Sequence, residues 1–316
     1  MDVVTLGELM IDFTCVSTDS TGFPTMAAHP GGAVTNFIAT LARYGCKTAI
    51  LGKVGNDAFG KLMIRTVQDA GVATGGVLLD DNSFTTMAFV TLDSSGDRSF
   101  SFARKPGADT QLTAEEVDLS IIDSAKVFHF GTLSLTHEPA RTATQRAIAY
   151  AKEKGKLISY DPNLRLPLWD DKDFCRQQLL WGLSQADVVK ISDNEVEFLF
   201  GLDPQAGAKH ILESFGVKLV FVTCGADGCH FRNAIASGNV AAPKGITVAD
   251  TTGAGDIFGG SAMYGILQSQ KAPEELTAAE LTKITTFACT AASISTMTQG
   301  ALSSIPTLEE VKAFLK

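Results

Sequence analysis

The chain has 316 residues, 45% of them hydrophobic and 19% charged, and a net charge of −9. Such a chain can build one large α/β body or two ordinary domains, and it is too apolar to be disordered. Its acidity argues against a protein that tracks nucleic-acid phosphates, yet leaves room for a local pocket that takes one small anion.

Chain order gives a mostly regular rhythm. An apolar run from Val3 predicts a first strand, with no basic segment ahead of it and no run of the ~20 apolar residues that a bilayer span needs. The expectation is therefore a cytoplasmic protein without a membrane partner. Residues 12–29 lack a helical period and carry turn signals at Gly22 and Pro24. A helix is predicted over 37–44, a strand over 48–54 and a helix over 57–70. Residues 85–105 read as a hairpin, because Met87, Phe89 and Thr91 alternate with Ala88 and Val90, and Phe100 and Phe102 alternate with Ser99 and Ser101 around a turn at 93–97. Short β runs at 126–131, 156–161, 187–192 and 218–224 follow, with helical patterns between them; the clearest is 139–154, where Ala140, Ala143, Ala147 and Ala151 recur at helical spacing. Thr113 with Glu116, Thr277 with Glu280 and Thr307 with Glu310 have the spacing of capping boxes, which predicts three helix starts.

Strand–helix alternation of this kind implies a mostly parallel sheet covered on both faces. The two exceptions, 12–29 and 85–105, predict a small β lid on a core made of 1–11, 30–84 and 106–316. The six cysteines have neither a disulfide pattern nor metal-ligand spacing and read as buried thiols.

Two glycine-rich segments carry the chemistry. The first, Asp250-Thr251-Thr252-Gly253-Ala254-Gly255-Asp256, follows a short β run at 246–248 and opens an apolar helix over 257–267. Backbone amides at such a helix start form an anion site. A carboxylate in that position makes sense if it takes a proton beside a bound phosphate; otherwise Asp256 is an ordinary first-turn acid. The second, Gly31-Gly32-Ala33-Val34-Thr35-Asn36, runs into a helix and suits hydrogen bonding to a polyol. Asp12 lies just past the first strand, where ligands of open α/β sheets bind. The G-x-G-x-x-G fingerprint fails at Phe258, and no P-loop sequence occurs.

Together the two segments resemble the ribokinase-like, or PfkB, carbohydrate kinase family. The likeness spans the chain, since Gly52-Lys-Val-Gly55-Asn-Asp57, Asp161-Pro-Asn163-Leu-Arg165 and Thr223-Cys-Gly225-Ala-Asp-Gly228 are similar to its intermediate motifs. Residues 161–169 and 190–199 are most similar to the fructokinases within it. The resemblance implies a three-layer αβα fold with a β lid, and an ATP-dependent fructokinase making D-fructose 6-phosphate. The alternatives are a 2-keto-3-deoxygluconate kinase or ribokinase of the same fold, or a non-catalytic sugar-binding regulator. It implies Asp256 as general base, with Gly253, Ala254 and Gly255 holding the charge on the transferred phosphoryl group. Asp12, Gly31, Gly32, Asn36 and Arg104 would bind sugar; Asn163, Arg165, Ser192, Thr223, Gly225 and Gly228 would bind ATP. Glu195 would organise Mg²⁺ through water, although Ser192 replaces the family's usual Asn and makes a capping box with Glu195. Cys289 stands near where many relatives carry an Asn against the nucleotide base. Asp250, Thr252, Gly300 and Ser304 match a monovalent-cation site for K⁺. The lid hairpin further suggests a homodimer formed through it, with Phe100 and Phe102 either supplying the shared face or packing over the sugar.

Overall fold

The computed structural model describes residues 1–92 and 98–315, so the hairpin turn expected at 93–97 lies outside the described residues. The elements in chain order are β1 (Val3–Leu6), β2 (Met10–Thr18), β3 (Pro24–Gly31), α1 (Ala33–Arg43), β4 (Thr48–Gly55), α2 (Ala58–Asp69), β5 (Ala73–Asp80), β6 (Met87–Leu92) and β7 (Arg98–Ala103). After them come α3 (Ser120–Asp123), β8 (Val127–Gly131), α4 (Ala140–Glu153), β9 (Leu157–Asp161), α5 (Lys172–Gln185), β10 (Val188–Ser192), α6 (Asp193–Phe200) and α7 (Pro204–Phe215). The chain finishes with β11 (Leu219–Thr223), β12 (Cys229–Asn233), β13 (Ser237–Val240), α8 (Ala254–Ser269), α9 (Ala278–Ser295) and α10 (Leu308–Phe314).

The main sheet has the order β13-β12-β11-β10-β9-β8-β1-β4-β5. From β11 to β5 its strands are parallel, and β12 and β13 add an antiparallel edge. Each parallel strand sends alternate side chains to opposite faces, as a period of two requires. Val4, Phe128, Val189 and Val220 join one buried cluster with Ala147 of α4 and Leu179 of α5. Val3, Val127, Val188 and Leu219 join a second with Ile38 of α1, Ile257 of α8 and Leu281 of α9. These two cores on either side of one sheet are the three-layer αβα arrangement expected from the sequence.

The second sheet, β3-β2-β6-β7, is the lid. Its first hairpin starts at Met10 and returns at Gly31, so it reaches two residues further into the chain at each end than the 12–29 segment read from the turn signals. Asp12 and Gly31 are thus lid-strand residues. On one lid face Phe13 stacks on Phe89 and meets Phe59 of α2 edge-on. The opposite face, with Ala88, Val90 and Phe102, covers a cleft.

Two local expectations fail for identifiable reasons. Thr113 and Glu116 form a turn, not a helix start: Glu116 Oε2 accepts from Thr113 N–H (2.8 Å) as expected, but Glu116 N–H turns to the Thr113 carbonyl, and the carboxylate also pairs with the buried Lys53 (2.7 Å). Residues 246–248 form no strand: they pair with no sheet edge among the described residues, and Thr247 and Val248 are exposed. The boxes at Thr277 and Thr307 do cap α9 and α10. The six cysteines are free, but only Cys175, Cys229 and Cys289 are buried, and Cys15 on the lid is exposed. Among the described residues no helix is long and apolar enough to cross a membrane.

Candidate active site

A cleft of about 710 Å³ opens at the carboxyl ends of the parallel strands, between core and lid. That is where an open α/β sheet presents its loops and helix N-termini to a ligand. Two helices start there. α1 begins after Gly32, and its first amide, Ala33 N–H, donates to the Glu8 carboxylate (2.7 Å). α8 begins after Gly253, which has the left-handed φ of +77° that favours glycine. A Cβ on Gly253 would stand 2.6 Å from that of Ala301. The first helical bond of α8 runs from Ile257 N–H to Gly253 C=O, so the Gly255 and Asp256 amides lie ahead of it, at the positive end of the helix dipole. The Ala254 amide instead turns to the Thr251 carbonyl (3.3 Å), which narrows the cradle read from the motif.

Asp256 sits in the first turn of α8 and is 8% exposed. Its Oδ2 accepts from Asn36 Nδ2 (2.8 Å) and its Oδ1 from Asn163 Nδ2 (3.0 Å). These two amides reach it from α1 and from the loop after β9, which fixes the carboxylate plane. Burial raises its pKa above the ordinary carboxylate range, against the opposing effects of Lys190, the Asn36 bond and Arg165. A base with a raised pKa is better matched to a proton transfer near neutral pH.

Asp12 is half-buried in the same cleft. Burial pushes it up to about 7, with Arg165 working against the rise and Asp256 and Asp250 adding to it. Gly32 and Asn36 line the cleft beside it, and Gly31 lies against the Asp12 carboxylate. Arg165 is exposed on the cleft wall. Asn163 holds an uncommon non-glycine φ of +42°, with its N–H donating to Asp161 Oδ1 (3.1 Å).

Ser192 and Glu195 make the capping box of α6: Ser192 N–H donates to Glu195 Oε2 (2.8 Å) and Glu195 N–H to Ser192 Oγ (3.3 Å). Glu195 Oε1 accepts from Leu164 N–H (2.6 Å), tying α6 to the β9 loop. Both residues line the cleft. Behind the α8 start, Asp250 joins residues expected at a cation site: its Oδ1 accepts from Thr252 N–H and Oγ–H (2.9 and 2.7 Å), and its Oδ2 from Gly300 N–H (3.0 Å). Ser304 is buried close by and donates to the Ala301 carbonyl. Thr223, Gly225 and Gly228 occupy the end of β11 and the turn into β12, at one side of the cleft rather than on its wall. Cys289 is buried in α9.

Arg104 is placed differently from the expectation. It is 3% exposed and does not line the cleft. Its Nε and Nη2 donate to Asp109 Oδ2 (2.8 and 2.6 Å), and further donors go to Thr136 Oγ1 and the Leu133 carbonyl. Asp109 also takes the Thr86 hydroxyl. One carboxylate thereby grips the residue before β6 and the residue after β7, making Arg104 part of the lid hinge. Asp57, the N-cap of α2, holds the β6 side alone by accepting from Thr85 N–H (2.8 Å) and Oγ–H (3.0 Å). Phe102, an expected dimer or sugar-covering residue, faces the cleft; the Phe100 side chain lies outside the described residues.

Two cleft residues were not anticipated. Glu8 is 1% exposed, and burial pushes it up to about 7. Lys190 reaches the wall beside Gly255, with its Nζ 3.0 Å from Asp161 Oδ2. Each had a signal in the sequence, since a charged residue within or just past an otherwise apolar parallel strand is costly unless it works there.

A cleft with hydroxyl-binding groups under a lid at one end, and a helix-start anion cradle with an adjacent carboxylate at the other, defines a sugar phosphotransferase. The chain belongs to the pfkB family of carbohydrate kinases, whose pattern it matches over residues 1–308. It is 39% identical to a probable fructokinase-4 of Arabidopsis thaliana, over 99% of this chain and 96% of that one. The fold superimposes on a fructokinase with bound ATP from Xylella fastidiosa with a TM-score of 0.90 at 29% identity, covering 99% and 98% of the two chains. It also superimposes on a fructokinase from Vibrio cholerae O395 in a form with fructose, ADP and calcium ion bound, with a TM-score of 0.89 at 31% identity, covering 100% and 99%.

Proposed function

We propose that the protein is an ATP-dependent fructokinase that converts D-fructose to D-fructose 6-phosphate. The observation that carries this reading is the Asp256 carboxylate, clamped by Asn36 and Asn163 at the start of α8, between the sugar end and the phosphate end of one cleft. Asp12, Gly32 and Asn36 hold the sugar hydroxyls. The lid residues Ala88, Val90 and Phe102 exclude water above them. Asp256 takes the proton of the attacking hydroxyl as the new O–P bond forms in line with the breaking bond to ADP. The Gly255 and Asp256 amides and Arg165 stabilise the charge on the transferred group. Asn163 and Ser192 line the nucleotide end of the cleft, and Thr223, Gly225 and Gly228 flank it.

Both Glu195 oxygens already accept backbone N–H groups, so Glu195 fits Mg²⁺ through an intervening water better than directly. Mg²⁺ bound with ATP neutralises phosphate charge. The all-oxygen set around Asp250, Thr252, Gly300 and Ser304 suits a monovalent cation, and a rate increase in K⁺ over Na⁺ buffer is expected; equal rates would remove that assignment. The lid hairpin exposes Val16 and Phe23, a face through which two copies could pair. The test of the main reading is a panel of sugars at saturating Mg-ATP. Fructose should be the fastest substrate, and turnover no faster than that of ribose or 2-keto-3-deoxygluconate would overturn the assignment.

A further inference from the structure

Lys190 is a buried cation for which neither the glycine motifs nor the proton-transfer scheme accounts. Its side chain is 12% exposed and that of Asp161 7%. They stand on the neighbouring parallel strands β10 and β9, Lys190 in the middle of the first and Asp161 at the carboxyl end of the second, and their Nζ–Oδ2 distance is 3.0 Å. Burying such a pair is costly, and it offers no advantage over an apolar pair of similar size unless the charge is used.

The pair is linked to Asp256 in two ways. The first is a chain of hydrogen bonds. Asp161 uses Oδ2 for Lys190 and Oδ1 for the Asn163 N–H (3.1 Å), and Asn163 passes its side-chain amide to Asp256 Oδ1 (3.0 Å). Asn163 holds its left-handed φ of +42° within that chain, a conformation that costs energy unless its surroundings impose it. The second link is proximity. A Cβ on Gly255 would meet Lys190 Nζ at 2.9 Å, so the ammonium lies against the backbone immediately before Asp256 and occupies the space a side chain would need.

We propose that the Lys190–Asp161 pair is a positioning device for the general base: it orients Asp256 through Asn163 and keeps a fixed positive charge beside it, so that Asp256 remains an anion able to accept the hydroxyl proton. The inference rests on the assignment of Asp256 as base. The charges around Asp256 are Lys190 on β10, Asp161 on β9, Arg165 in the loop after β9, Glu195 on α6 and Asp12 on β2. For Lys190, burial works against the charge, but Asp161, Glu195 and Asp256 outweigh it and keep the ammonium protonated. For Asp256, burial favours the neutral acid, and Lys190 is the strongest influence opposing it. Lys190 is thus one buried ammonium among three carboxylates, those of Asp161, Glu195 and Asp256, and without it Asp256 would take up a proton at higher pH.

The test is kcat against pH from 5.5 to 9.5 at saturating fructose and Mg-ATP, where bound sugar covers Asp12. Lys190→Met moves the acid limb to higher pH. Deprived of its partner, Asp161 takes up a proton and offsets part of the change, so a displacement of about half a pH unit or more is expected: a ratio of kcat to the parent's that falls about threefold or more from the alkaline plateau to the acid side of the limb. Asp161→Asn removes a neighbouring negative charge and moves the limb the opposite way. Lys190→Arg keeps the charge and restores the limb of the parent enzyme. Opposite displacements from the two halves of one ion pair are not produced by a general loss of structure. Should Lys190→Met fail to fold, the Asp161→Asn and Lys190→Arg curves decide. Limbs that coincide with that of the parent enzyme, or a KM for ATP that rises while the limb stays put, overturn the inference, the second by making Lys190 a nucleotide ligand. An Asp256→Asn arm separates the two readings: if that variant keeps full activity the base assignment fails, whereas if it is inactive and the limbs do not move, the inference about Lys190 alone fails.

Discussion

Replacing Asp256 by Asn isolates the charge of the proposed base from its shape. In the parent enzyme both carboxylate oxygens accept from amide NH₂ groups, Asn36 at 2.8 Å and Asn163 at 3.0 Å. In Asp256→Asn one of those oxygens becomes an NH₂, so one neighbour must turn its own amide to present a carbonyl. Asn36 can do so cheaply, because its Oδ1 has no hydrogen-bond partner among the described residues. The clamp survives and the negative charge does not. Loss of a general base costs on the order of 10²–10⁴ in rate, or about 3–5.5 kcal/mol of barrier. Stability should not fall with it, since a desolvated carboxylate is replaced by a neutral group of equal size. The assay is ADP release at saturating fructose and Mg-ATP, with fructose affinity measured separately by calorimetry and Tm by thermal unfolding. The expected result is kcat down by at least a hundredfold, fructose affinity within a few-fold, and Tm unchanged or higher. A kcat within tenfold of the parent enzyme would refute the assignment of Asp256 as base.

Three further outcomes follow from the geometry. Asp12 carries its proton up to about 7 in the folded protein against 3.8 when unperturbed, so the native state binds more protons than the unfolded chain between those values, and stability falls as pH rises through that window. Asp12→Asn should therefore raise Tm at pH 8 by a few degrees and leave it unchanged near pH 3, while KM for fructose rises; a lower Tm at pH 8 would contradict this sign. Gly253→Ala forces a side chain onto a φ of +77° and against Ala301, which should cost about 1–3 kcal/mol of stability and more than tenfold in kcat; parent-like unfolding and turnover would show that the α8 start tolerates a Cβ. Arg104→Leu leaves Asp109 buried with the Thr86 hydroxyl but without its ion pair, a loss of about 3–5 kcal/mol. Pairing Arg104→Leu with Asp109→Leu should recover part of that loss in denaturant titrations, and a double variant less stable than the single one would argue against the hinge description.

Much of this protein was legible as sequence because its signals are local. Apolar runs bounded by turns located β4, β8, β9, β10 and β11 to within a residue or two. The helix spacing of Ala140, Ala143, Ala147 and Ala151 marked the face of α4 that is buried. Gly253, Gly255 and Asp256 could be recognised together because a helix start with a close ligand approach demands small residues at fixed spacing. Tertiary structure decided what depends on partners far along the chain. Glu116 bonds Thr113 N–H as its spacing suggested and also pairs with Lys53, 63 positions away, yet the segment is a turn and not a helix start. Asp109, close in sequence but fixed by the core, took Arg104 away from the cleft and into the hinge. The clamp on Asp256 joins residues 220 and 93 positions distant, and the Lys190–Asp161 pair joins residues 29 apart. Spacing along a chain encodes which backbone conformations are allowed. Which charges meet, and how strongly a buried carboxylate holds its proton, depends on the packing that excludes water around them.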